Sequence, residues 1–204
     1  MKTIPAPSKR RLVLLGQLLA GYKEKTITSQ KIEEMAGWSA AVIRRDISLL
    51  EVRCGASNGY RVTELKSALK DAISSSENEK KCCLVGLGKL GQSWLQNNEL
   101  KDTQFKITAG FDSNVNRTEV LRSDFPLHPV TELESVIQKE GIKFAILACS
   151  SEEAQALASR LCQCGIKGIV NFTPCVLTVP KTTAVENVSL LTSLEIVSLR
   201  SKNS

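Results

Sequence analysis

The amino-acid sequence predicts an α/β fold in which a small, basic, helical domain precedes a doubly wound parallel sheet. Apolar residues recur at helical spacing between residues 8 and 50. Beyond residue 81, continuous apolar runs alternate with helical patterns, which is typical of a parallel sheet covered by helices on both faces. The first of these runs leads directly into a glycine-rich turn at residues 86–91. These observations divide the chain into two parts with different chemistry.

The first part contains three helical patterns separated by short turns. One covers residues 8–22, and a second begins at residues 28–29 with a hydroxyl residue that can cap it. After a turn at Gly37, Ser39 can cap a third helix over residues 40–50, whose outer face is basic and polar. Two helices joined by a short glycine-containing turn are typical of a helix-turn-helix.

A β-hairpin is predicted after the third helix. Asn58-Gly59 favours a tight turn between two short strands. A basic hairpin that follows a recognition helix is a wing, and a helical pattern at residues 64–75 completes the domain. We therefore predict a winged helix-turn-helix. The alternative is a three-helix domain whose basic face is only solvated.

Nearly all of the net charge lies in the first part. Residues 1–77 contain 13 Lys and Arg against 8 Asp and Glu, whereas residues 78–204 contain 14 against 13. A basic domain joined to a nearly neutral one indicates a polyanionic partner, here double-stranded DNA. Arg44 and Arg45 lie on the outer face of the third helix and can reach phosphates or a guanine edge. The residues predicted to contact DNA are Lys9, Arg10, Arg11, Ser39, Arg44, Arg45, Ser48, Arg53, Tyr60 and Arg61.

A polar segment at residues 74–81 is predicted to link the two parts. Beyond it we expect strands at residues 82–85, 105–111, 144–149, 168–172 and 185–190, with a short edge strand at 126–129. Helices are expected at residues 90–100, 131–140, 152–164 and 193–202. The predicted domains are a winged helix (1–77), a Rossmann-like doubly wound parallel sheet (78–190) and a C-terminal helix (191–204).

The glycine-rich turn predicts a dinucleotide site. Gly86 suits the tight turn, Gly88 lets a pyrophosphate approach the backbone, and Gly91 lets the next helix pack on the strand. The phosphates would lie at the N-terminus of that helix, where unpaired N–H groups and the helix dipole favour negative charge. Lys89 either lies beside the pyrophosphate or is a solvated residue of the first turn.

Asp112 ends the next strand, 26 residues after Gly86. A carboxylate there accepts hydrogen bonds from the ribose hydroxyls and repels a 2′-phosphate, which favours NAD(H) over NADP(H). The alternative is an ordinary turn residue. The loops after residues 147 and 171 also follow strands, at the edge of the sheet where such folds bind ligands. The predicted cofactor residues are Gly86, Leu87, Gly88, Lys89, Leu90, Gly91, Asp112, Ala148, Cys149, Asn171, Thr173 and Pro174.

The sequence offers no machinery for a reaction. His128 is the only histidine and has no acidic motif beside it, so we predict neither a catalytic residue nor a metal ligand. The seven cysteines follow neither disulfide nor zinc-finger spacing. Apolar runs fall far short of the roughly twenty residues of a membrane span. No signal peptide precedes Pro5, and we expect a cytoplasmic protein.

The motifs of both parts, taken in order, resemble those of the Rex redox-sensing transcriptional repressors. The resemblance covers nearly the whole chain. It rests on residues 4–5, 11–12, 39–46, 59–60, 85–91, 111–112, 165–174, 179–180 and 185–188. The most specific of these is the run Gly-Ile-Lys-Gly-Ile-Val-Asn-Phe-Thr-Pro at 165–174.

The resemblance implies a homodimer of subunits with a winged helix and a Rossmann domain, in which the C-terminal helix swaps onto the partner. It also implies binding to palindromic operator DNA, and release of that DNA when NADH binds between the subunits. NAD⁺ would compete with NADH and leave DNA binding intact or favour it.

The sequence departs from this family at positions that respond to the cofactor. Ser189 stands where relatives commonly carry an aspartate, and Asn97 stands where a tyrosine is often found. Ala148-Cys149-Ser150 replaces the usual Thr-Val-Pro. Because a charge-assisted contact is lost, a second hypothesis is a DNA-binding regulator whose redox response is weakened or absent. A third is a small NAD-dependent oxidoreductase, which the basic first domain and the missing acid–base group disfavour.

Overall fold

The computed structural model describes residues 4–52, 54–56, 58–73, 79–96, 100 and 103–201. The chain divides into two compact units, Met1–Glu77 and Asn78–Ser204. Each unit has its own hydrophobic core, and the boundary between them falls in the polar segment.

The first unit combines helices with a small antiparallel sheet of strand order β1-β3-β2. The β2–β3 hairpin is the predicted wing. Strand β1 pairs with β3 and was not predicted, because two residues are too few to give a sequence pattern. In chain order the elements are α1 (Ala6–Ala20), β1 (Thr26–Ile27), α2 (Ser29–Ala36), α3 (Ala40–Ser48), β2 (Gly55–Ala56), β3 (Gly59–Arg61) and α4 (Val62–Ile73).

Local signals determine where α2 and α3 begin and end. The Thr28 hydroxyl accepts a hydrogen bond from the Lys31 N–H at 3.0 Å and so caps α2. The Ser39 hydroxyl accepts one from the Val42 N–H at 3.4 Å and caps α3. Gly37 ends α2 with a φ of 70°, a left-handed conformation that favours glycine. The predicted helix-turn-helix is confirmed.

An ion pair joins α1 to α3 within this unit. Arg11 donates from Nε to Oδ2 of Asp46 at 2.5 Å and from Nη2 to Oδ1 at 3.0 Å. Burial alone would raise the pKa of Asp46, but hydrogen bonds from Arg11 and Ser8 outweigh burial and hold the pKa below its ordinary value. The surrounding core is largely aliphatic and includes Leu12, Leu15, Leu19, Ile32, Ile43, Ile47, Leu65 and Leu69.

The second unit is built on a six-stranded parallel sheet of order β6-β5-β4-β7-β8-β9. The chain enters at the centre, moves to one edge and returns to build the other half, as in a Rossmann-type doubly wound fold. This confirms the predicted fold class. The elements are β4 (Lys80–Val85), α5 (Lys89–Gln92), β5 (Phe105–Asp112), α6 (Val115–Val120), β6 (Leu127–Pro129), α7 (Leu133–Glu140), β7 (Phe144–Leu147), α8 (Ser151–Gln163), β8 (Gly168–Asn171), β9 (Ala184–Asn187) and α9 (Leu190–Ser201).

The two faces of this sheet are covered unequally. One face packs against α7 and α8 through a core that includes Phe111, Leu147 and Leu161. The other face carries a smaller cluster around Leu84 and Leu95. The prediction that helices cover both faces of the sheet is therefore correct only for the first face. The reason is that α5 is short and that both connections after β7, helix α8 and the loop at residues 172–183, pack against the first face.

The helix after the glycine-rich turn has four residues, not the predicted span of 90–100. It continues as tight turns, in which the Trp94 N–H bonds to the Gly91 carbonyl. The Leu95 carbonyl then accepts the Asp124 N–H at 3.1 Å and the Ser123 hydroxyl at 3.3 Å. These bonds tie the turn after α5 to residues that are distant in sequence.

Other element boundaries also differ from prediction. Strand β4 begins inside the predicted linker, because the Lys80 N–H bonds to the Gln104 carbonyl at 2.7 Å next to β5. Strands β7, β8 and β9 end before the predicted residues 149, 172 and 190. Ser189 therefore lies beyond the sheet. Its hydroxyl accepts the Thr192 N–H at 3.2 Å, which makes it the cap of α9.

We predict that the Arg11–Asp46 pair stabilises the first unit by about 2 kcal/mol, because a charged hydrogen-bonded pair is lost when either residue becomes alanine. Because the pKa of Asp46 is lowered in the folded state, this contribution is complete above the unfolded value of about 3.9 and is lost as the pH falls through the folded value. Urea unfolding of Arg11→Ala, Asp46→Ala and the double variant gives the coupling free energy between the two side chains.

Trp38 fluorescence in a Trp94→Phe background reports on the first unit alone, since these are the two tryptophans of the chain. Lys9→Ala, on the exposed side of α1, is the control and should shift stability by less than about 0.5 kcal/mol. Strictly additive effects of the two alanine substitutions would contradict the pair.

Candidate functional site

The glycine-rich turn has a distinct steric requirement at each of its three glycines. Gly86 has a φ of 98°, and a Cβ there would lie 2.5 Å from the Cys149 nitrogen and 2.6 Å from the Ala148 carbonyl oxygen. A Cβ at Gly91 would collide with the Gly86 carbonyl oxygen. A Cβ at Gly88 would meet nothing within 4 Å. The fold thus requires two of the glycines, and the third leaves the backbone open to a ligand.

Asp112 fastens this turn to the end of β5. Its side chain is only 3% exposed, and it accepts the Leu87 N–H at 2.6 Å and the Asn114 N–H at 2.8 Å. Nη1 of Arg117, on α6, lies 3.3 Å from Oδ2 of the same carboxylate. Asp112 therefore positions the turn itself, which is a role that the sequence did not predict. A contact with ribose stays a prediction.

A cavity of about 100 Å³ lies at the carboxyl ends of β4 and β7, where the strand order reverses. Ligands bind at this point in open α/β sheets. Five predicted cofactor residues line it: Gly86, Gly88, Asp112, Ala148 and Cys149.

Arg117 and Glu153 also line the cavity and were not singled out from the sequence, and Ser150, noted above as a departure from the family, lines it with them. The Ser150 hydroxyl donates to Oε2 of Glu153 at 2.8 Å across the first turn of α8. A hydroxyl residue followed three positions later by Glu is the spacing of a capping box. That spacing could have drawn attention to Glu153, whereas the position of Arg117 depends on the path of the loop after β5.

Leu87, Lys89 and Leu90, which also belong to the glycine-rich turn, do not line the cavity. Leu87 is buried on the other face of the sheet, and only its N–H takes part in the site. Lys89 and Leu90 are exposed on α5. A contact between Lys89 and a phosphate stays a prediction.

Asn171, Thr173 and Pro174 belong to the loop after β8 and do not line the cavity. The fully buried Asn171 amide donates to the Cys175 carbonyl at 2.8 Å and to Oδ1 of Asn187 at 2.9 Å. Its Oδ1 accepts the Thr173 N–H at 3.0 Å and the Thr173 hydroxyl at 2.7 Å. The side chains of Asn171 and Thr173 therefore shape this loop, and a contact with the cofactor stays a prediction.

The cysteines lie in environments that disfavour the thiolate. Burial raises the pKa of Cys82 and of Cys149 to about 11, and burial raises that of Cys83 further. These three thiols are protonated at neutral pH, as expected of small buried hydrophobes.

His128 lies on the edge strand β6, and its Nδ1 is 3.1 Å from Oε2 of Glu132. Its ring is 5.8 Å from that of Phe111. In the described part of the chain, His, Cys, Asp and Glu residues form no group of three or more that could hold a metal ion.

The predicted recognition helix α3 presents exposed cations. Arg44 and Arg45 are both exposed, and Nη1 of Arg44 donates to the Ser29 hydroxyl of α2 at 3.1 Å. The Ser48 hydroxyl donates to the Arg45 carbonyl at 2.6 Å, and Ser39 caps the helix. These side chains lie on α3 or at its start, and the Ser29 hydroxyl of α2 orients the Arg44 guanidinium.

The other predicted DNA contacts differ in how they are held. Lys9 and Arg10 are exposed on α1, whereas Arg11 is engaged by Asp46. On the wing, Tyr60 is half-buried and burial raises its pKa, while Nε of Arg61 lies 2.5 Å from Oε1 of Glu64. Arg53 lies outside the described residues. The contacts of all these residues with DNA stay predictions.

Helix α9 and one face of the sheet expose apolar surface. A concavity of about 400 Å³ on that face is lined by residues that include Phe144, Ile146 and Val170. The exposed apolar residues of α9 are Leu190, Leu191, Leu194, Ile196, Val197 and Leu199.

Among the described residues, no helix is long and apolar enough to cross a membrane.

Two protein-family models match the chain, and each matches one of its parts. A model described as a putative DNA-binding protein N-terminus matches residues 3–48. A model described as a CoA binding domain matches residues 77–175. The matches fall on the helix-turn-helix and on the doubly wound sheet, respectively.

Curated relatives and solved structures match almost the whole chain. The redox-sensing transcriptional repressor Rex of Exiguobacterium sp. is 34% identical over 200 residues, which cover 96% of this chain and 90% of the relative. That of Levilactobacillus brevis is 33% identical over 196 residues, which cover 94% and 92%.

Among solved structures, the Rex-family repressor RSP is 29% identical, with a TM-score of 0.85 over 100% of this chain and 96% of RSP. RSP in complex with β-NAD⁺ and operator DNA gives a TM-score of 0.86 at the same identity, over 100% of this chain and 94% of RSP. RSP has also been solved with β-NADH, and matches with a TM-score of 0.85. The two-part architecture, the glycine-rich turn and these relatives together show that the chain belongs to the Rex family of redox-sensing transcriptional repressors.

Proposed function

We propose that this chain is a transcriptional repressor that binds operator DNA through its first unit and NAD(H) through its second. Its affinity for DNA then follows the NADH/NAD⁺ ratio. The observation that carries the proposal is the glycine-rich turn at the reversal of strand order. There a Cβ at Gly88 would meet nothing within 4 Å, and Gly88 and Asp112 line one cavity, where we place the pyrophosphate and the ribose. The relatives are repressors rather than enzymes, which excludes the oxidoreductase hypothesis.

The cofactor would be held mainly by backbone groups. We propose that Gly88 and Lys89 meet the pyrophosphate and that Asp112 accepts a ribose hydroxyl through its remaining lone pair. Ala148 and Cys149 would form the wall of the adenosine end. The loop at residues 171–174 would contact the nicotinamide end, since it follows the next strand of the sheet. NAD(H) supplies the nicotinamide ring whose charge changes with redox state.

The operator would be bound by α3 and the wing. Arg44 and Arg45 are exposed on one helix, and the Arg44 guanidinium is already oriented by Ser29. This order lowers the entropy lost on binding. Lys9 and Arg10 on α1 and Arg61 on the wing would add phosphate contacts. A repressor of this kind acts on DNA in the cytoplasm.

We propose that the chain acts as a homodimer through α9. Six apolar side chains of this short helix are exposed, and the same unit has an uncovered apolar sheet face. Large exposed apolar patches usually mark interaction sites. A second copy of α9, swapped as in the family, would bury both surfaces, and two subunits fit a palindromic operator.

A second candidate function is a DNA-binding regulator with a weakened redox response. Ser189 stands where relatives carry an acid, and its hydroxyl already accepts the Thr192 N–H as the cap of α9. A neutral hydroxyl offers an ordinary hydrogen bond of about 0.5–1.5 kcal/mol, less than a carboxylate would. Asn97, which replaces the tyrosine, lies outside the described residues.

One experiment decides between these two functions. Binding of the dimer to its operator is measured by fluorescence anisotropy with NAD⁺, with NADH and with neither. A repressor that responds to redox state binds well with NAD⁺ and releases DNA with NADH. Equal operator binding in all three conditions would support the second function, a regulator without redox response. If the protein does not bind the operator at all, both functions are wrong.

We predict that Gly88→Ala and Gly91→Ala have opposite consequences. Gly88→Ala should leave thermal stability unchanged, because its methyl group meets no protein atom, yet weaken NADH binding by at least about tenfold. Gly91→Ala should destabilise the fold by about 1–3 kcal/mol, because its methyl group collides with the Gly86 carbonyl. Calorimetric titration and thermal melts separate the two. Normal NADH affinity in Gly88→Ala would refute the proposed pyrophosphate position.

We also predict that Arg44→Ala lowers operator affinity. If Arg44 contacts a guanine, the loss should be about 1–3 kcal/mol with relaxed sequence preference; if it contacts a phosphate, the salt dependence should become less steep. Arg122→Ala removes an exposed arginine of the second unit and serves as the matched control. An unchanged affinity and an unchanged salt slope for Arg44→Ala would eliminate this contact.

A further prediction concerns Ser189. The double variant Ser189→Asp, Asn97→Tyr should raise the ratio of NADH affinity to NAD⁺ affinity, since it restores the acid and the phenol. Aspartate also caps helices well, so α9 should be kept. Ser198→Asp adds the same charge elsewhere on α9 and should leave the ratio unchanged. A strong NADH preference already present in the natural chain would show that these departures do not weaken the response.

A further inference from the structure

We infer that Glu153, rather than Asp112, is the main barrier to a 2′-phosphate on the adenosine ribose in this chain. This inference rests on the proposed binding of NAD(H) at the glycine-rich turn. It concerns the choice between NAD(H) and NADP(H), which the aspartate after the second strand is expected to make in folds of this kind.

The charge of Asp112 is largely compensated within its own chain. Two backbone N–H groups donate to the carboxylate, from Leu87 at 2.6 Å and from Asn114 at 2.8 Å. The Arg117 guanidinium lies 3.3 Å from the same carboxylate. A carboxylate has about four lone-pair positions, so these three donors leave little for a ribose diol. A cation in direct contact also cancels most of its field at a distance.

Arg117 by itself would favour the phosphorylated cofactor. Its side chain is 46% exposed and lines the cavity beside Asp112 and Ser113. An arginine next to the ribose is the group that accommodates a 2′-phosphate in NADP-binding Rossmann folds. The Asp112–Arg117 pair therefore carries little net charge, and it opposes a phosphate less than Asp112 alone would.

Glu153 supplies the negative charge that the pair lacks. It lines the same cavity and is half-buried, and its Oε2 accepts a hydrogen bond from the neutral Ser150 hydroxyl at 2.8 Å. Its field reaches the cavity wall: burial and then the charge of Glu153 raise the pKa of Cys149 to about 11, and Asp112 contributes less to that rise than Glu153 does. A carboxylate with a neutral partner beside a small cavity opposes a second, doubly charged anion there.

The test compares the affinities of NADH and NADPH for the full-length dimer, measured by the fluorescence of the reduced nicotinamide. Glu153→Gln keeps the length and the Ser150 contact but removes the charge. It should narrow the NADH preference by about three- to tenfold, through tighter NADPH binding. Glu153→Asp keeps the charge and should keep the preference. Glu152→Gln removes a neighbouring carboxylate of the same helical turn that does not line the cavity, and should change nothing.

The outcomes are distinct. A narrowed preference in Glu153→Gln alone supports the inference, and circular dichroism with normal NADH affinity shows that the variant is folded. An unchanged preference, or an equal change in Glu152→Gln, overturns it. So does a natural chain that binds NADPH as tightly as NADH. If the natural chain binds neither nucleotide, the proposed function fails and the inference fails with it.

Discussion

The close approach of Gly86 to the backbone of Ala148 and Cys149 is the contact on which the second unit depends. It brings together the loops after β4 and β7, the two strands between which the sheet order reverses. Asp112 adds the end of β5 by holding the Leu87 N–H. Three strand ends are thereby fixed around one small cavity before any ligand arrives. A preformed site loses less entropy on binding, so the affinity for a cofactor can come from few contacts.

Features that depend on neighbouring residues could be predicted from the sequence. Helix caps at Thr28 and Ser39, and the requirement for glycine at Gly91 beside the Gly86 carbonyl, follow from groups within a few positions. Features set by distant partners could not. The position of the turn after α5 depends on the Leu95 carbonyl, which bonds to residues 123–124 far along the chain. The cavity positions of Arg117 and Glu153 likewise require the three-dimensional path of two loops, although the spacing before Glu153 hinted at a cap.

The Arg11–Asp46 pair shows why net charge gives an incomplete account of a DNA-binding domain. The excess of cations in residues 1–77 correctly indicates the class of partner, because a polyanion responds to the summed field. It does not identify the residues that make contact. Arg11 is bonded to a buried carboxylate of α3, and Arg61 lies against Glu64. Arg44, in contrast, is oriented by a neutral hydroxyl and keeps its charge for a partner. The surroundings of each cation decide its role.

The chemistry of the loop after β8 limits how this chain can respond to redox state. A cofactor shifts an operator-binding equilibrium only by the difference between its affinities for the two states. Oxidised nicotinamide carries a positive charge that the reduced ring lacks, so a response requires charge or a directed hydrogen bond near the ring. The side chains of Asn171 and Thr173 are neutral and bonded to one another, and Ser189 is committed to capping α9. On the proposed function, these groups fix where a ring lies but distinguish its charge weakly. The discrimination must therefore come from other groups, of which the partner subunit's surface is the natural source in a dimer built through α9.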